Sequence, residues 1–237
     1  MTQIRRAIAE DKGAIAAIIA ETWSQDLWER GFHAHIQAKT YSLWVAERQA
    51  EVLGFVSAFL TRSKSDQTRW EIDLLAVKSG HRGQGLGKRL IAACCQDGAR
   101  HAVDRARALI RVENVASQAA FTTMGFRSSG QVHELLAWPP RRGVESSCPE
   151  AITLLPVDTL TYRGLWIEGL ESLAPPERRR ALKAARAVAA RESRHNTGTV
   201  LPVAQTGWLT PQLRTEAIVQ EQYDWFVKPI NKHDQEI

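Results

Sequence analysis

Two adjoining stretches carry residue types at spacings that can do chemistry. The first is HRGQGLGKRL, His81 to Leu90, with glycines at 83, 85 and 87 between basic side chains. Glycine admits positive φ and lets a ligand approach bare backbone. A helix N-terminus exposes unpaired N–H groups at the positive end of its dipole. A strand, a glycine loop and a helix in that order make a cradle for a phosphate or pyrophosphate. The second stretch is EIDLLAV, Glu71 to Val77, just upstream. Its carboxylates Glu71 and Asp73 are two residues apart, so in a strand both point to one face. A carboxylate pair on one face can share its titration and hold one member protonated to higher pH.

Three kinds of phosphate corner can be compared with the loop. A P-loop needs a glycine five residues before its Gly-Lys and a Ser or Thr after it. Here those positions are Arg82 and Arg89. The dinucleotide fingerprint needs a third glycine three residues after the second, where this chain has Lys88. The third pattern, Arg/Gln-x-x-Gly-x-Gly/Ala, is met in full by Arg82-Gly83-Gln84-Gly85-Leu86-Gly87. It resembles the pyrophosphate loop of the GNAT acetyltransferases.

Two further segments carry the same resemblance in order and spacing. Glu71 to Val77 resembles the family's fourth strand. Arg111-Val112-Glu113-Asn114-Val115-Ala116-Ser117 resembles its second CoA element, and the helix that follows ends in Met124-Gly125-Phe126, like the family's Gly-Phe ending. The resemblance covers residues 1 to about 138.

The resemblance implies an α/β fold, a mixed central sheet flanked by helices, with acetyl-CoA as cosubstrate. The pantetheine arm would lie where the fourth and fifth strands splay, against the backbone of Leu75, Ala76 and Val77. An N–H there would serve as oxyanion donor. Backbone from Gly83 through Gln84, Gly85, Leu86 and Gly87 to Lys88 would hold the pyrophosphate, with Arg82 and Lys88 adding charge. Asn114 would contact the cofactor arm or a catalytic water. The reaction implied is direct attack of a primary amine on the thioester, with a carboxylate taking the proton. Glu71, which resembles the general-base glutamate of histone-type acetyltransferases, is the first candidate, and Asp73 the second. Either carboxylate is open to a second role, attracting the cationic amine without moving a proton.

One position departs from the family. A tyrosine four residues after the last position of the Asn-x-x-Ala/Ser motif often protonates the leaving thiolate. Counted from Ser117, that position is Phe121, which has no proton to give. A thiolate of pKa about 8.5 can leave unprotonated. Ser117 is either a hydroxyl donor or the cap of its helix. The departure also keeps open a non-catalytic acyl-CoA-binding module.

Elements that position these residues are legible as an alternation of strand and helix. Strands are expected at Gln3–Ala7, Ser42–Glu47, Val52–Leu60, Arg69–Val77, Ala108–Val112 and Gln131–Trp138. Helices are expected after Asp11, over Gly85–Gly98 and over Ser117–Met124. The resemblance implies that the acceptor side falls to Trp23–Thr40, where Trp23, Trp28, Phe32, His33 and His35 either line an amine pocket or pack. His33 and His35 do not share a helix face, and no metal is expected.

Residues 139–150, PPRRGVESSCPE, read as a linker between a domain at 1–138 and a mainly helical segment at 151–237. Ile152–Val157 reads as a strand, and Leu160–Leu173, Glu177–Arg194 and Gln212–Phe226 as helices. The middle helix carries seven Lys and Arg against two Glu. No aromatic residues interleave with them, which disfavours nucleic acid as a partner. The tail is open to a role in homodimerisation, as a lid, or in binding a partner, and Ile152–Leu173 faintly echoes the opening of the chain.

Composition fits a globular chain of 237 residues with 44% hydrophobic residues. No apolar run is long enough for a membrane span, and the first residues turn acidic before a signal-type core forms, so a cytoplasmic protein is expected. The net charge of +5 arises entirely within residues 1–147, as suits a phosphate-bearing ligand. Cys94, Cys95 and Cys148 show neither metal nor disulfide spacing. The acceptor is expected to be a small molecule or a peptide amine.

Overall fold

A computed structural model describes residues 1–143 and 148–230, arranged as two compact units. The first unit contains residues 1–129, Thr159–Thr161 and the chain from Trp225 onward; the second contains 130–158 and 162–224. The units therefore do not divide at residue 138. Of the expected linker, 144–147 lie outside the described residues.

The first unit opens with β1 (Gln3–Arg6), α1 (Lys12–Trp23) and α2 (Glu29–Gln37). An antiparallel meander follows, β2 (Tyr41–Arg48), β3 (Glu51–Arg62) and β4 (Thr68–Val77), with β1 on the outer edge of β2. Then α3 (Leu86–Arg100) crosses over to β5 (Arg105–Arg111), which runs parallel to β4. A parallel neighbour requires such a crossover. The last helix of the unit is α4 (Val115–Thr123).

Each face of this sheet is buried. On the α1 side Ile15, Ile18 and Ile19 pack with Phe32, Val45 and Phe55. On the α3 side Trp70, Ile72, Leu90, Ile91 and Cys94 pack together, and the Trp70 indole N–H donates to Cys94 Sγ at 3.4 Å. Burial pushes the Cys94 and Cys95 thiols up, so both stay protonated. Asp97 ties α3 to the meander. Its buried carboxylate accepts from Ser42 Oγ at 2.6 Å and Trp44 Nε1 at 2.7 Å, and pairs with Arg6 and Arg100. A buried charge survives only when paired in this way.

The second unit is built on a sheet ordered β6 (Arg127–Trp138, within this unit from Gly130), β9 (Asn196–Pro202), β8 (Arg163–Glu168) and β7 (Thr153–Asp158). Strands β7 and β8 are antiparallel, β8 and β9 are parallel across α5 (Pro175–Arg191), and β9 is antiparallel to β6. Then come α6 (Pro211–Glu216) and β10 (Val219–Pro229).

The mainly helical tail is therefore corrected. Expected helix Leu160–Leu173 is strand β8 and a 3-10 turn. Buried Leu165 and Ile167 alternate with half-buried Trp166 and Glu168 at period two, and Gly169, at φ +92°, ends the run. Expected helix Gln212–Phe226 is short α6 and then β10. Val219, Glu221 and Tyr223 alternate in burial with exposed Gln220 and Gln222, which is the strand period. The helix that starts at Pro175-Pro176 lies where proline at N1 places it. The repeat is also different from the faint echo read in the sequence. An antiparallel hairpin, a parallel crossover, a short helix and a strand occur once as β3–β4–α3–β5–α4–β6 and again as β7–β8–α5–β9–α6–β10.

No helix among the described residues is long and apolar enough to cross a membrane.

His35 lies buried in α2, with Nδ1 donating to the Gly31 carbonyl at 2.7 Å. Burial pulls its pKa down from 6.5 to about 4. The unfolded chain therefore binds a proton that the folded one refuses. The stability this contributes is full above pH 6.5 and about 3 kcal/mol of it is lost by pH 4. Urea unfolding of the protein and of His35→Leu across this range should show that acid-side loss in the parent and a much flatter profile in the variant.

Candidate active site

The site lies where β4 and β5 separate. Their parallel ladder runs from Arg69↔Arg105 to Ile72↔Ala108 and stops. At the same level β4 carries an extra residue against β3, since Val56 faces Leu75 whereas Ala58 faces Ile72. This is a β-bulge, which bends a strand and re-aims its side chains. The Leu74 N–H donates to Ser57 Oγ at 3.3 Å within it. Past the bulge, Leu75, Ala76 and Val77 pair with β3 along one edge, and their other edge has left β5. Leu75 and Val77 turn toward the α3 side, and Ala76 toward the α1 side.

The glycine corner follows. Gly83 and Gly85 hold φ of +75° and +74°, a left-handed backbone that L-residues rarely adopt. A β-carbon at either would meet no neighbour within 4 Å. Steric closeness to the protein thus does not explain the glycines; the turn does, and it leaves bare backbone open to a ligand. Gly85 caps α3 without a side-chain hydrogen bond, so no side chain covers the first amides, from Leu86 through Gly87 to Lys88. Gln84 and Lys88 are exposed. Arg82 is anchored, its Nε donating to the Val77 carbonyl at 3.0 Å, which binds the loop to the end of β4. These features fit a pyrophosphate.

Asn114 occupies the N-cap of α4, and its Oδ1 accepts from the Ser117 N–H at 3.1 Å. The cap is thus Asn114, and Ser117 is the capped residue. Phe121 is 3% exposed and meets Phe126 edge-to-face at 5.0 Å, so this ring is a core residue.

The two carboxylates have different surroundings. Glu71 is 8% exposed and fully engaged. Its Oε1 accepts from Thr61 Oγ1 and lies 3.3 Å from Arg69 Nε, and its Oε2 accepts from Arg107 Nε at 2.7 Å. Asp73 has a buried Oδ2 with no hydrogen-bond partner. Burial, and secondarily the charge of Glu71, push its pKa up to about 7. Sequence reading missed Thr61, Arg69 and Arg107. Their signal is positional: Arg107 is the cross-strand partner of Glu71 in a pairing that only the fold sets.

Of the aromatic stretch before β2, Phe32 is buried and Trp23 packs edge-on against Phe55 at 6.3 Å, while His33 is exposed beside Glu29. His35 meets the Tyr41 ring at 4.6 Å.

A sheet that opens beside a corner of bare backbone, with carboxylates at the opening, offers a phosphate-bearing ligand a cradle and an open strand edge. The chain belongs to the acetyltransferase (GNAT) family, whose model matches residues 3–126. It is 29% identical over 110 residues to N-acetyltransferase 8B of Rattus norvegicus, covering 44% of this chain and 48% of that protein. The chain thus spans about half the length of that curated relative. Among solved structures, a transcriptional regulator from Bacillus halodurans C-125 is similar at 18% identity and TM-score 0.50, over 62% of this chain and 99% of the other. A ribosomal-protein-alanine N-acetyltransferase from Brucella melitensis is similar at 25% identity and TM-score 0.48, over 56% and 88%.

The second unit's corner has another chemistry. Between β8 and α5 it runs Gly169 to Ala174, and α5 begins with Pro175-Pro176, neither of which has an N–H to donate. A single cofactor corner is expected per chain. Titration with acetyl-CoA in a calorimeter should give one equivalent bound, and Gly85→Glu should weaken it by at least about a hundredfold, because a charged side chain enters the anion's space and an L-residue strains the left-handed turn. Circular dichroism of the variant should match the parent.

Proposed function

We propose that the chain is an N-acetyltransferase that moves an acetyl group from acetyl-CoA to a primary amine by direct attack within a ternary complex. The observation that carries this reading is the unpaired, half-buried Asp73 at the bulge where β4 leaves β5, next to the glycine corner. Bound acetyl-CoA supplies the activated acyl group. The chain's own residues do the rest. Bare backbone at Gly83 to Lys88 binds the pyrophosphate, and the free edge of Leu75 to Val77 orients the pantetheine arm.

The proton acceptor is Asp73, which exchanges rank with Glu71. A general base works best with a pKa near the operating pH, and Asp73 stands at about 7. Glu71 is held by Thr61, Arg69 and Arg107, and moving a proton onto it would break those contacts. Glu71 acts as the fixed negative charge that raises Asp73. Because Phe121 is buried, the leaving thiolate departs without a tyrosine donor. The acceptor is a small-molecule or peptide amine.

With an amine that supports CoA release, kcat/KM should fall tenfold per unit as pH drops below about 7. Asp73→Asn should cost about 10²–10⁴-fold in kcat and leave acetyl-CoA affinity unchanged. Glu71→Gln removes the like charge and should move the acid limb to lower pH. A fully active Asp73→Asn would sink the assignment of the base, and acetyl-CoA binding without turnover of any amine would favour a non-catalytic acyl-CoA-binding module. The same substitution should raise the melting temperature at pH 8 but not at pH 4, since only the ionised carboxylate is disfavoured by folding.

A further inference from the structure

One row of side chains crosses the α1 face of the first unit at the level of Glu71. Tyr41 on β2 pairs with Phe59 on β3, Phe59 with Glu71 on β4, and Glu71 with Arg107 on β5. Beyond β5 the next strand is β10, and its Trp225 ring lies under the Arg107 guanidinium, 4.1 Å from centroid to Cζ. Tyr41, Phe59, Arg107 and Trp225 are all half-buried, so the row borders on solvent. Its last member comes from the far end of the chain, well outside the segment that matches the family.

We propose that Trp225 is a positioning residue for the acceptor side of the site, holding Arg107 flat so that its Nε–H stays on Glu71 and Glu71 stays turned away from the amine that Asp73 deprotonates. The inference rests on the acetyltransferase reading for its consequence, and on the Arg107 geometry for its cause. A guanidinium stacked on an indole keeps its N–H groups in the plane of the stack. In this plane Arg107 Nε meets Glu71 Oε2 at 2.7 Å, while Thr61 Oγ1 holds Oε1. With both oxygens held, the carboxylate has one orientation. Without the ring, the long Arg107 side chain regains its rotamers, and Glu71 is released to bind the incoming ammonium itself. The amine then binds at the wrong carboxylate.

Such unproductive binding has its own kinetic signature: kcat and the amine KM fall together. Loss of folded structure would instead lower kcat/KM. The test uses the full chain, Trp225→Leu and Trp225→Phe, with two readouts. The first is water exchange of the Arg107 Nε–H by nitrogen-15 NMR, which needs no acceptor. Trp225→Leu should speed it about tenfold, and Trp225→Phe should restore it, since either ring can stack. The second is CoA release with 1,3-diaminopropane as probe. Trp225→Leu should lower kcat and KM by similar factors, with kcat/KM and acetyl-CoA affinity held within about threefold. Unchanged Nε–H exchange in Trp225→Leu overturns the proposal, as does a drop in kcat/KM that Trp225→Phe fails to rescue. If the parent protein does not bind acetyl-CoA, the acetyltransferase reading fails, and the exchange measurement still decides whether Trp225 holds Arg107.

Discussion

The parting of β4 from β5 after Ile72 and Ala108 is the constraint on which the site depends. Backbone N–H and C=O groups that leave a ladder must find other partners or face water. The bulge at Asp73-Leu74 makes the separation possible, because an extra residue bends β4 and shifts the pairing with β3 by one. Everything around the gap keeps it from closing. Trp70 and Ile72 anchor the paired half of β4 in the α3-side core. Asp97 holds α3 to β1 and β2 through Arg6, Ser42 and Trp44. Arg82 clips the corner to the last carbonyl of β4. The open edge and the bare amides of the α3 N-terminus are thus held as parts of one rigid element.

The same bulge separates two otherwise similar carboxylates. Glu71 lies in the paired half, where β5 and β3 bring Arg107 and Thr61 to it. Asp73 lies at the edge of the opening, where no cation reaches its Oδ2. Placing like groups in unlike surroundings gives them unlike chemistry, and burial pushes Asp73 up to about 7. Here the difference follows from two residues of strand length and one lost ladder.

The tail takes part in both units. Strand β6 enters the second unit at Gly130, and β10 returns to the first at Trp225. The first unit therefore contains the end of a strand that comes from far along the chain. The second unit repeats the hairpin, crossover and strand of the first without the glycine corner. Prolines stand where amide donors would be needed, and this explains why the repeat has no trace in the loop chemistry.

Much was determined by residue order alone. The glycines at 83, 85 and 87, the asparagine before α4 and the alternating strands of the first 126 residues are local patterns, each set by φ preference, capping or period. The corner and the meander were legible for that reason. The helices assigned to Leu160–Leu173 and Gln212–Phe226 were misread because short apolar runs do not distinguish a helix from a strand, and tertiary pairing settles the matter. The unlike surroundings of Glu71 and Asp73 were out of reach of the sequence for a related reason. Which carboxylate is paired depends on Arg107 and Thr61, distant in the chain and brought near only by sheet register. Trp225 is the extreme case: no local pattern places it under Arg107, because the neighbour of β5 is chosen by how the whole chain returns.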